Sequence, residues 1–163
     1  MQKINTIDGE LDGLWETYYE DGQLKFKMNF IKMRQVGIEE RYYADGQLEI
    51  KGGYIDGEQN GLWEKFYENG QLESKGAFKD GEKDGPWENY HKNGNIKSKG
   101  VRTEYFESGL WTYWYDNGNK RAEGIFVDKD ERAGKWQFWH DNGNIACSGV
   151  HKGWSGDGQW TFW

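Results

Sequence analysis

Cysteine, proline and long apolar runs are almost absent from this sequence. Cys147 is the only cysteine in 163 residues, which excludes a disulfide framework and a cysteine-rich metal site. No apolar run reaches the length of about 18 residues that a membrane-spanning helix needs. The first residues lack the apolar core of a signal peptide, so the chain as it stands is expected in the cytoplasm. A secreted or cell-surface location stays open if a signal segment was removed.

Positive charge is also scarce. Lys and Arg number 21 against 28 Asp and Glu, for a formal net charge of −7. Binding to the phosphates of nucleic acids and to anionic lipid usually relies on clustered basic residues. The charge balance therefore predicts no nucleic-acid partner and makes a membrane partner the weaker alternative.

Aromatic residues and glycine are abundant instead. The chain contains 10 Trp, 10 Tyr, 8 Phe and 24 Gly, although its mean hydropathy is only −1.08. So many large rings argue against a disordered polymer. The many glycines indicate a backbone that turns often.

The strongest signal is an internal repeat of 24 or 25 residues, which appears in two independent columns. Glu39 fills the one slot where the tryptophan column is interrupted. The tryptophans are Trp15, Trp63, Trp87, Trp111, Trp136 and Trp160, and the turn dipeptides begin at Asp21, Asp45, Asn69, Asn93, Asn117 and Asn142.

Asn-Gly or Asp-Gly between short aromatic runs is the strongest local sign of a β-hairpin. No segment has a sustained helical period of apolar residues. The sequence thus predicts an all-β repeat protein of about 14 strands: a single-layer, elongated antiparallel sheet of stacked hairpins. We divide it into a half unit 1–12, six units 13–36, 37–60, 61–84, 85–108, 109–133 and 134–157, and a half unit 158–163.

A two-residue turn at Asn69-Gly70 predicts the faces of the sheet. It pairs Trp63 with Gly76 and Tyr67 with Leu72 on one face, with the tryptophan ring covering the glycine of its own hairpin. Glu73 falls on the opposite, charged face. A three-residue loop with a bulge would move this register. Cross-strand ion pairs are expected at Glu16/Lys27, Glu40/Lys51, Glu64/Lys75 and Glu88/Lys99.

The segment Gly61-Leu62-Trp63-Glu64 through Asn69-Gly70-Gln71-Leu72 to Lys75-Gly76, with echoes in the other units, resembles the bacterial variant of the MORN repeat. The resemblance covers essentially the whole chain and implies a curved single-layer sheet with a binding or scaffold role. Chains of this family are often described as antitoxins of the YwqK type. The departures are Glu39, the glycine-free connection 31–36, the connection 103–107 and an extra residue between 127 and 133, where we expect the regularity to break.

No catalytic, metal or cofactor motif is present, so we predict neither an enzyme nor a cofactor. His91 and His140 occupy a column otherwise held by tyrosine and are expected to substitute for it. Cys147 is expected to be a small filler. The run Asp128–Glu131 lacks the glycine and the closing glutamate of a calcium loop.

The function predicted is therefore protein–protein recognition, in the specific form of an antitoxin or immunity-type inhibitor whose acidic surface meets a basic toxin. Tryptophan and tyrosine dominate interface hot spots. The predicted partner-binding residues are Trp15, Trp63, Tyr67, Trp87, Trp111, Tyr115 and Trp136. Contact is also expected at the irregular residues Glu39, Tyr105, Phe106 and Trp154.

Two alternatives stay open. The first is a structural or cell-surface scaffold whose uncapped terminal strands associate end to end. The second, weaker alternative is a module that contacts phospholipid.

Overall fold

The computed structural model describes residues 1–152 and 158–163, with the side chain of Lys152 excluded. Every regular element in these residues is a β-strand. Within them there is no helix long and apolar enough to cross a membrane. The strands are β1 Gln2–Ile7, β2 Glu10–Tyr18, β3 Leu24–Ile31, β4 Arg34–Tyr42, β5 Leu48–Ile55, β6 Glu58–Phe66, β7 Leu72–Lys79, β8 Glu82–Tyr90, β9 Ile96–Glu104, β10 Phe106–Trp114, β11 Lys120–Val127, β12 Glu131–Trp139, β13 Ile145–Lys152 and β14 Trp160–Phe162.

The strands form an open antiparallel sheet in the order of the chain, which confirms the predicted all-β hairpin repeat. Two compact units divide the chain. The first unit comprises Met1–Glu82 and the second Lys83–Trp163. In each unit, the side of the sheet that bears the tryptophan column is called the Trp face.

Each hairpin closes with a three-residue loop, not the predicted two-residue turn. In the hairpin β6–β7, the amide of Tyr67 donates to the carbonyl of Gln71, and the amide of Gly70 donates to the carbonyl of Tyr67. Gly70 takes a φ of 78°, as the bulge residue of such a loop requires. The predicted pairing of Tyr67 with Leu72 is therefore wrong, because Leu72 lies opposite Phe66.

A second irregularity restores the register further along the same hairpin. The register shifts between Lys65 and Phe66, and beyond that point Trp63 lies opposite Gly76, as predicted. Glu73 is the extra residue at this bulge. Its carboxylate accepts a hydrogen bond of 3.0 Å from Lys65, which shares the face of Trp63, so the prediction that Glu73 lies on the opposite face is wrong.

Most of the described turns that join the hairpins have two consecutive residues with positive φ, whereas the turn between β9 and β10 has positive φ only at Glu104. Asp56 and Gly57 have φ values of 51° and 92°. This geometry is typical of a type I′ turn, whose twist matches the flanking strands. Lys32 and Met33 adopt the same geometry without a glycine, at 47° and 67°. The pairing continues on both sides of this turn, so regularity holds where we expected it to break.

A third glycine recurs two residues before the tryptophan slot and bends the strand. Gly61 has a φ of 79°, and its equivalents are Gly13, Gly37, Gly85, Gly109 and Gly134. Because Lys51 pairs with Glu64 and Gly53 with Asn60, the single residue Gly52 lies opposite residues 61–63. The bend brings the following tryptophan over the preceding strand.

Successive repeats are also linked by side chains within each unit. The hydroxyls of Tyr19 and Tyr43 donate to the carbonyls of Tyr42 and Phe66, and that of Tyr115 donates to the carbonyl of Trp139. His91 Nε2 lies 3.0 Å from the carbonyl of Trp114. His91 thus occupies the tyrosine position of the ladder, as predicted.

The predicted Glu/Lys register is confirmed at all four hairpins. The Glu40 carboxylate in β4 lies 3.1 Å from the Lys27 ammonium and 3.3 Å from the Lys51 ammonium. One carboxylate therefore links β3 and β5, the strands on either side of it. Glu88 lies 2.8 Å from Lys99. These ladders run along the face opposite the tryptophans.

Candidate functional site

The indole rings of Trp63, Trp111, Trp136 and Trp160 lie on glycines of the preceding strand. A Cβ atom added to Gly52 would stand 2.0 Å from the Trp63 ring, and one added to Gly124 would stand 2.1 Å from the Trp136 ring. The same relation holds for Gly100 with Trp111 and for Gly149 with Trp160. Cover of a glycine by an indole was predicted correctly, but the prediction placed the ring over the wrong neighbour.

Three of these indoles also form a hydrogen bond to the strand on which they lie. The Nε1 atoms of Trp63, Trp111 and Trp136 donate to the carbonyls of Gly53, Val101 and Ile125, at 2.9–3.2 Å. The acceptor is always the residue that follows the covered glycine. A ring and a hydrogen bond together therefore fasten the hairpins of Trp63, Trp111 and Trp136 to the hairpins before them.

The predicted partner-binding residues differ widely in accessibility. Trp111 and Trp136 are 0 % exposed, and Trp63 and Trp87 are also buried. Trp15, Tyr67 and Tyr115 are half-buried and retain accessible surface. The buried Trp15 Nε1 has no hydrogen-bond partner among the described residues. Contact with a partner stays a prediction for the whole set.

Glu39 takes the place of a tryptophan but does not face solvent. It is 1 % exposed, and its carboxylate accepts hydrogen bonds from Gln35 at 2.9 Å and from the Arg41 guanidinium. Burial, followed by the negative charge of Glu39, raises the pKa of Tyr54 above its usual value. Met28 occupies the position of the covered glycine and is itself buried. Positions 28 and 39 thus carry Met and Glu in place of the glycine and tryptophan of the regular pair.

The other irregular residues have different positions. Tyr105 is 70 % exposed in a turn. Phe106 begins β10 and pairs with Thr103, so it belongs to the regular sheet. Trp154 lies outside the described residues.

Aliphatic side chains form exposed rows on the face opposite the tryptophans. Within a strand, residues next to a covered glycine or a tryptophan point away from the Trp face. Ile38 Cδ1 would lie 3.9 Å from a Cβ added to Gly53, which places both on the opposite face. The rows are 41–60 % exposed and comprise Ile7, Ile31, Ile38, Ile55 and Leu62 in the first unit and Val101, Leu110, Ile125, Val127 and Val150 in the second.

The residue pattern did not predict these rows, because it indicated only a charged opposite face. The signal was present, because Leu14, Ile38, Leu62 and Leu110 each directly precede a member of the tryptophan column. Their significance depends on the exposure of the opposite face, which a sequence pattern does not report.

The Trp face of the second unit carries a cluster of arginines around one tyrosine. We call Arg102, Glu107, Tyr113, Arg121 and Arg132 the Tyr113 cluster. Arg102 lies 3.3 Å from Glu107, and the Tyr113 hydroxyl donates to the same carboxylate. Arg121 Cζ lies 5.5 Å from the centre of the Tyr113 ring. Burial and then the bond to Glu107 raise the pKa of Tyr113 far above its usual value, so the phenol stays neutral.

Further cation–ring contacts flank this cluster. Arg132 Cζ lies 4.6 Å from the centre of Trp136, and Arg102 Cζ lies 5.6 Å from that of Trp111. Lys83 Nζ lies 4.4 Å from the centre of the Trp87 ring. Burial, and then the charge of Arg102, lower the pKa of Lys83. The Trp face is therefore aromatic and cationic here, and not merely apolar.

A cleft of about 630 Å³ opens near the turns of the second unit. Its lining includes the carboxylates of Glu104, Glu107, Asp128 and Glu131 beside Lys129. Among the described residues, no group of three or more His, Cys, Asp or Glu side chains is arranged to hold a metal ion.

A comparison with protein families matches the chain six times to the MORN repeat variant. The matched residues are 11–32, 35–56, 59–80, 83–102, 107–128 and 132–152, which together cover well over half of the chain. A search of curated proteins returned no match.

Proposed function

The chain belongs to the MORN repeat variant family, whose repeats generally mediate protein or membrane interactions, and we propose that it is a non-catalytic protein-recognition module. The tryptophan column serves mainly to fasten one hairpin to the next. Recognition then falls to side chains that remain accessible on the two faces.

The observation that carries this proposal is the set of exposed aliphatic rows opposite the Trp face. Large apolar side chains that stand in rows beside charged residues are typical of protein contact surfaces. Leu62 and Leu110 are 59 % and 58 % exposed, whereas the nearby Trp63 and Trp111 are buried. A partner that covered the rows would remove this apolar area from water without disturbing the sheet.

The half-buried members of the predicted contact set supply a second part of the proposed surface. Trp15, Tyr67 and Tyr115 are half-buried and keep some accessible surface, and tryptophan and tyrosine are enriched at interface hot spots. The buried Trp63, Trp87, Trp111 and Trp136 support these contacts by holding the strands in place.

An antitoxin or immunity-type inhibitor is the specific form of this function that we propose to test. The net charge of −7 favours a basic partner, because complementary charge speeds the encounter of two proteins. Inhibition by such a module needs only tight binding over the partner's active surface.

The test is affinity co-purification from the source organism, with mass spectrometry of the bound proteins. The wild-type chain is compared with Ile55→Ser/Leu62→Ser and Leu110→Ser/Ile125→Ser, after circular dichroism has confirmed that the variants are folded. Glu20→Gln, a change in an exposed hairpin loop outside the rows, is the matched control.

We expect a stoichiometric protein partner that the control retains and that at least one row variant loses. Recovery of the chain's own copies alone would contradict the proposal and favour end-to-end association. Flotation with anionic vesicles at physiological salt, without any protein partner, would favour the membrane alternative.

A further inference from the structure

We propose that the Tyr113 cluster binds an acidic peptide segment of a protein partner. The inference rests on the proposed function and names the chemistry of one of its contacts. It assigns a binding role to Arg121 and Arg132, which form no ion pair among the described residues.

The cluster contains more positive than negative charge. Its one carboxylate, Glu107, is already engaged by Arg102 at 3.3 Å and by the Tyr113 hydroxyl. Arg121 and Arg132 are both exposed, and neither forms an ion pair within residues 1–152 and 158–163. A guanidinium group presents a planar fork of donors that fits a carboxylate in two-point contact. The guanidinium groups of Arg121 and Arg132 thus remain available to bind carboxylates of a ligand.

Aromatic rings orient these forks. Arg132 Cζ lies 4.6 Å from the centre of Trp136 and 5.9 Å from that of Phe138. Arg121 lies over Tyr113, whose own ring is stacked on Trp111 with centres 5.9 Å apart. Because stacking restricts the guanidinium before a ligand arrives, less side-chain freedom is lost on binding.

On the Trp face of the first unit, basic side chains are paired with carboxylates of the chain itself. Arg41 lies over the Phe26 ring there, but it is paired with the buried Glu39. Lys65 lies 3.0 Å from Glu73. A partner carboxylate would have to displace an internal one at these positions, so we assign the acidic ligand to the second unit only.

The overall charge selects a short acidic segment over a long polyanion. At −7, the chain repels nucleic acid and anionic membranes over distances of about a Debye length, roughly 8 Å at physiological salt. A segment with a few carboxylates meets the local arginines without bringing a high charge density close to the rest of the surface. The half-buried Phe138 beside the cluster offers apolar contact to the same segment.

After burial, the arginines of the cluster contribute to the lowered pKa values of two nearby residues. Burial and then Arg102 lower the pKa of Lys83, and burial and then Arg132 lower the pKa of His151. A bound carboxylate would relieve the repulsion by these arginines.

The test is fluorescence anisotropy with a labelled decapeptide of alternating Glu and Leu, compared with the same peptide carrying Gln for Glu. We expect the acidic peptide to bind and the Gln peptide to bind at least tenfold more weakly. Arg121→Gln/Arg132→Gln should weaken acidic-peptide binding by about tenfold or more, because two charged contacts are lost. Lys99→Gln, a loss of positive charge on the opposite face, should leave the affinity within about twofold once long-range charge effects are screened by salt.

Glu107→Gln provides a variant that acts in the other direction. It removes the internal carboxylate that competes for Arg102, so the acidic peptide should bind more tightly to a folded Glu107→Gln chain. Equal binding of the acidic and Gln peptides would overturn the inference. So would equal weakening by Lys99→Gln and the arginine variant, or binding of a phosphatidylserine vesicle or a DNA oligonucleotide as tight as that of the peptide.

The two experiments distinguish failure of the acidic-peptide assignment from failure of the proposed function. If the wild-type chain captures a stoichiometric partner but does not bind the acidic peptide, the Tyr113 assignment is wrong and protein recognition stands. If the chain captures no protein partner, the proposed function is wrong whatever the peptide does.

Discussion

At Gly124, a methyl group would have to share the space of the Trp136 ring. The added Cβ would stand 2.1 Å from ring atoms of a side chain that is 0 % exposed. We expect Gly124→Ala to lower the free energy of unfolding by about 1–3 kcal/mol, the usual cost of overpacking. Chemical denaturation measures this change.

The neighbouring residue provides the control for that experiment. Ile125 is 44 % exposed on the opposite face, so Ile125→Ala should change the free energy of unfolding by less than about 0.5 kcal/mol. Equal effects of the two substitutions would show that the ring does not rest on Gly124.

Glu40 provides a pH-dependent prediction. Burial opposes its charge, but hydrogen bonds from Lys27, Tyr42 and Lys51 hold the pKa of its carboxyl below the usual value. A group whose pKa is lower in the folded state stabilises the fold above its unfolded pKa, and this stability is lost as pH falls through the folded value. Wild type should thus lose more stability than Glu40→Gln between about pH 5 and pH 3.

Urea denaturation at a series of pH values measures this difference. Parallel stability curves for the two proteins over that range would contradict the role given to Glu40.

The recurring positions of individual residues were easier to predict than the directions of their side chains. The predicted pairing of Trp63 with Gly76 is correct only because the bulge at Glu73 offsets the extra residue of the three-residue loop. The direction of the ring was not predicted, because it depends on the bend at Gly61. The Tyr113 cluster was missed for a related reason: its members come from β9, β10, β11 and β12, and only the register brings them together.

Among the elements, the connection between β3 and β4 departs most from the preferred turn chemistry. Lys32 and Met33 hold positive φ values that cost an L-residue about 1–2 kcal/mol each. We expect Lys32→Asn/Met33→Gly to raise the free energy of unfolding by about 0.5–1 kcal/mol, after the entropy cost of glycine and the loss of the weak Met33 contact to Leu11.

The equivalent turn of the next repeat allows the opposite substitution, in which an L-residue replaces a glycine with positive φ. Gly57→Ala places an L-residue at a φ of 92° and should be destabilising, although its Cβ would meet no atom within 4 Å. Thermal denaturation of both variants tests the pair. A stabilising Gly57→Ala would contradict the assignment of strain to backbone conformation.

Met28 and Glu39, which lie in successive repeats, give a prediction about how neighbouring repeats pack. Glu39→Trp alone should be destabilising, because Met28 fills the space that a glycine leaves free elsewhere. Adding Met28→Gly should restore stability and recreate the regular pair. A double-mutant cycle should give a favourable coupling of about 0.5–3 kcal/mol. Additive effects of the two substitutions would show that the exchange is not compensatory.

The hairpin repeat could be predicted because turn dipeptides and tryptophans share one period. The loop type was harder. Asn-Gly suits both a two-residue turn and a three-residue loop, and only the observed bonds between Tyr67 and Gln71 distinguish them. The glycine-free turn at Lys32-Met33 kept its geometry because pairing on both sides compensates for local strain.

For the whole molecule, fold and recognition depend on different side chains. Aromatic composition suggested the tryptophans as the contact surface, but Trp111 and Trp136 are covered within the second unit. The aliphatic rows are exposed, and arginines concentrate on one Trp face of an acidic chain. Composition cannot reveal such a distribution, because it averages over both faces.

Hydroxyl-radical footprinting of the chain with and without its captured partner tests most directly which face of the sheet contacts that partner. We predict that Leu110 and Ile125 are oxidised in the isolated chain and protected in the complex, while Trp111 and Trp136 are unreactive in both. Tryptophan oxidation in the isolated chain that disappears on binding, with unchanged oxidation of Leu110 and Ile125, would contradict the account and make the tryptophan column the contact surface.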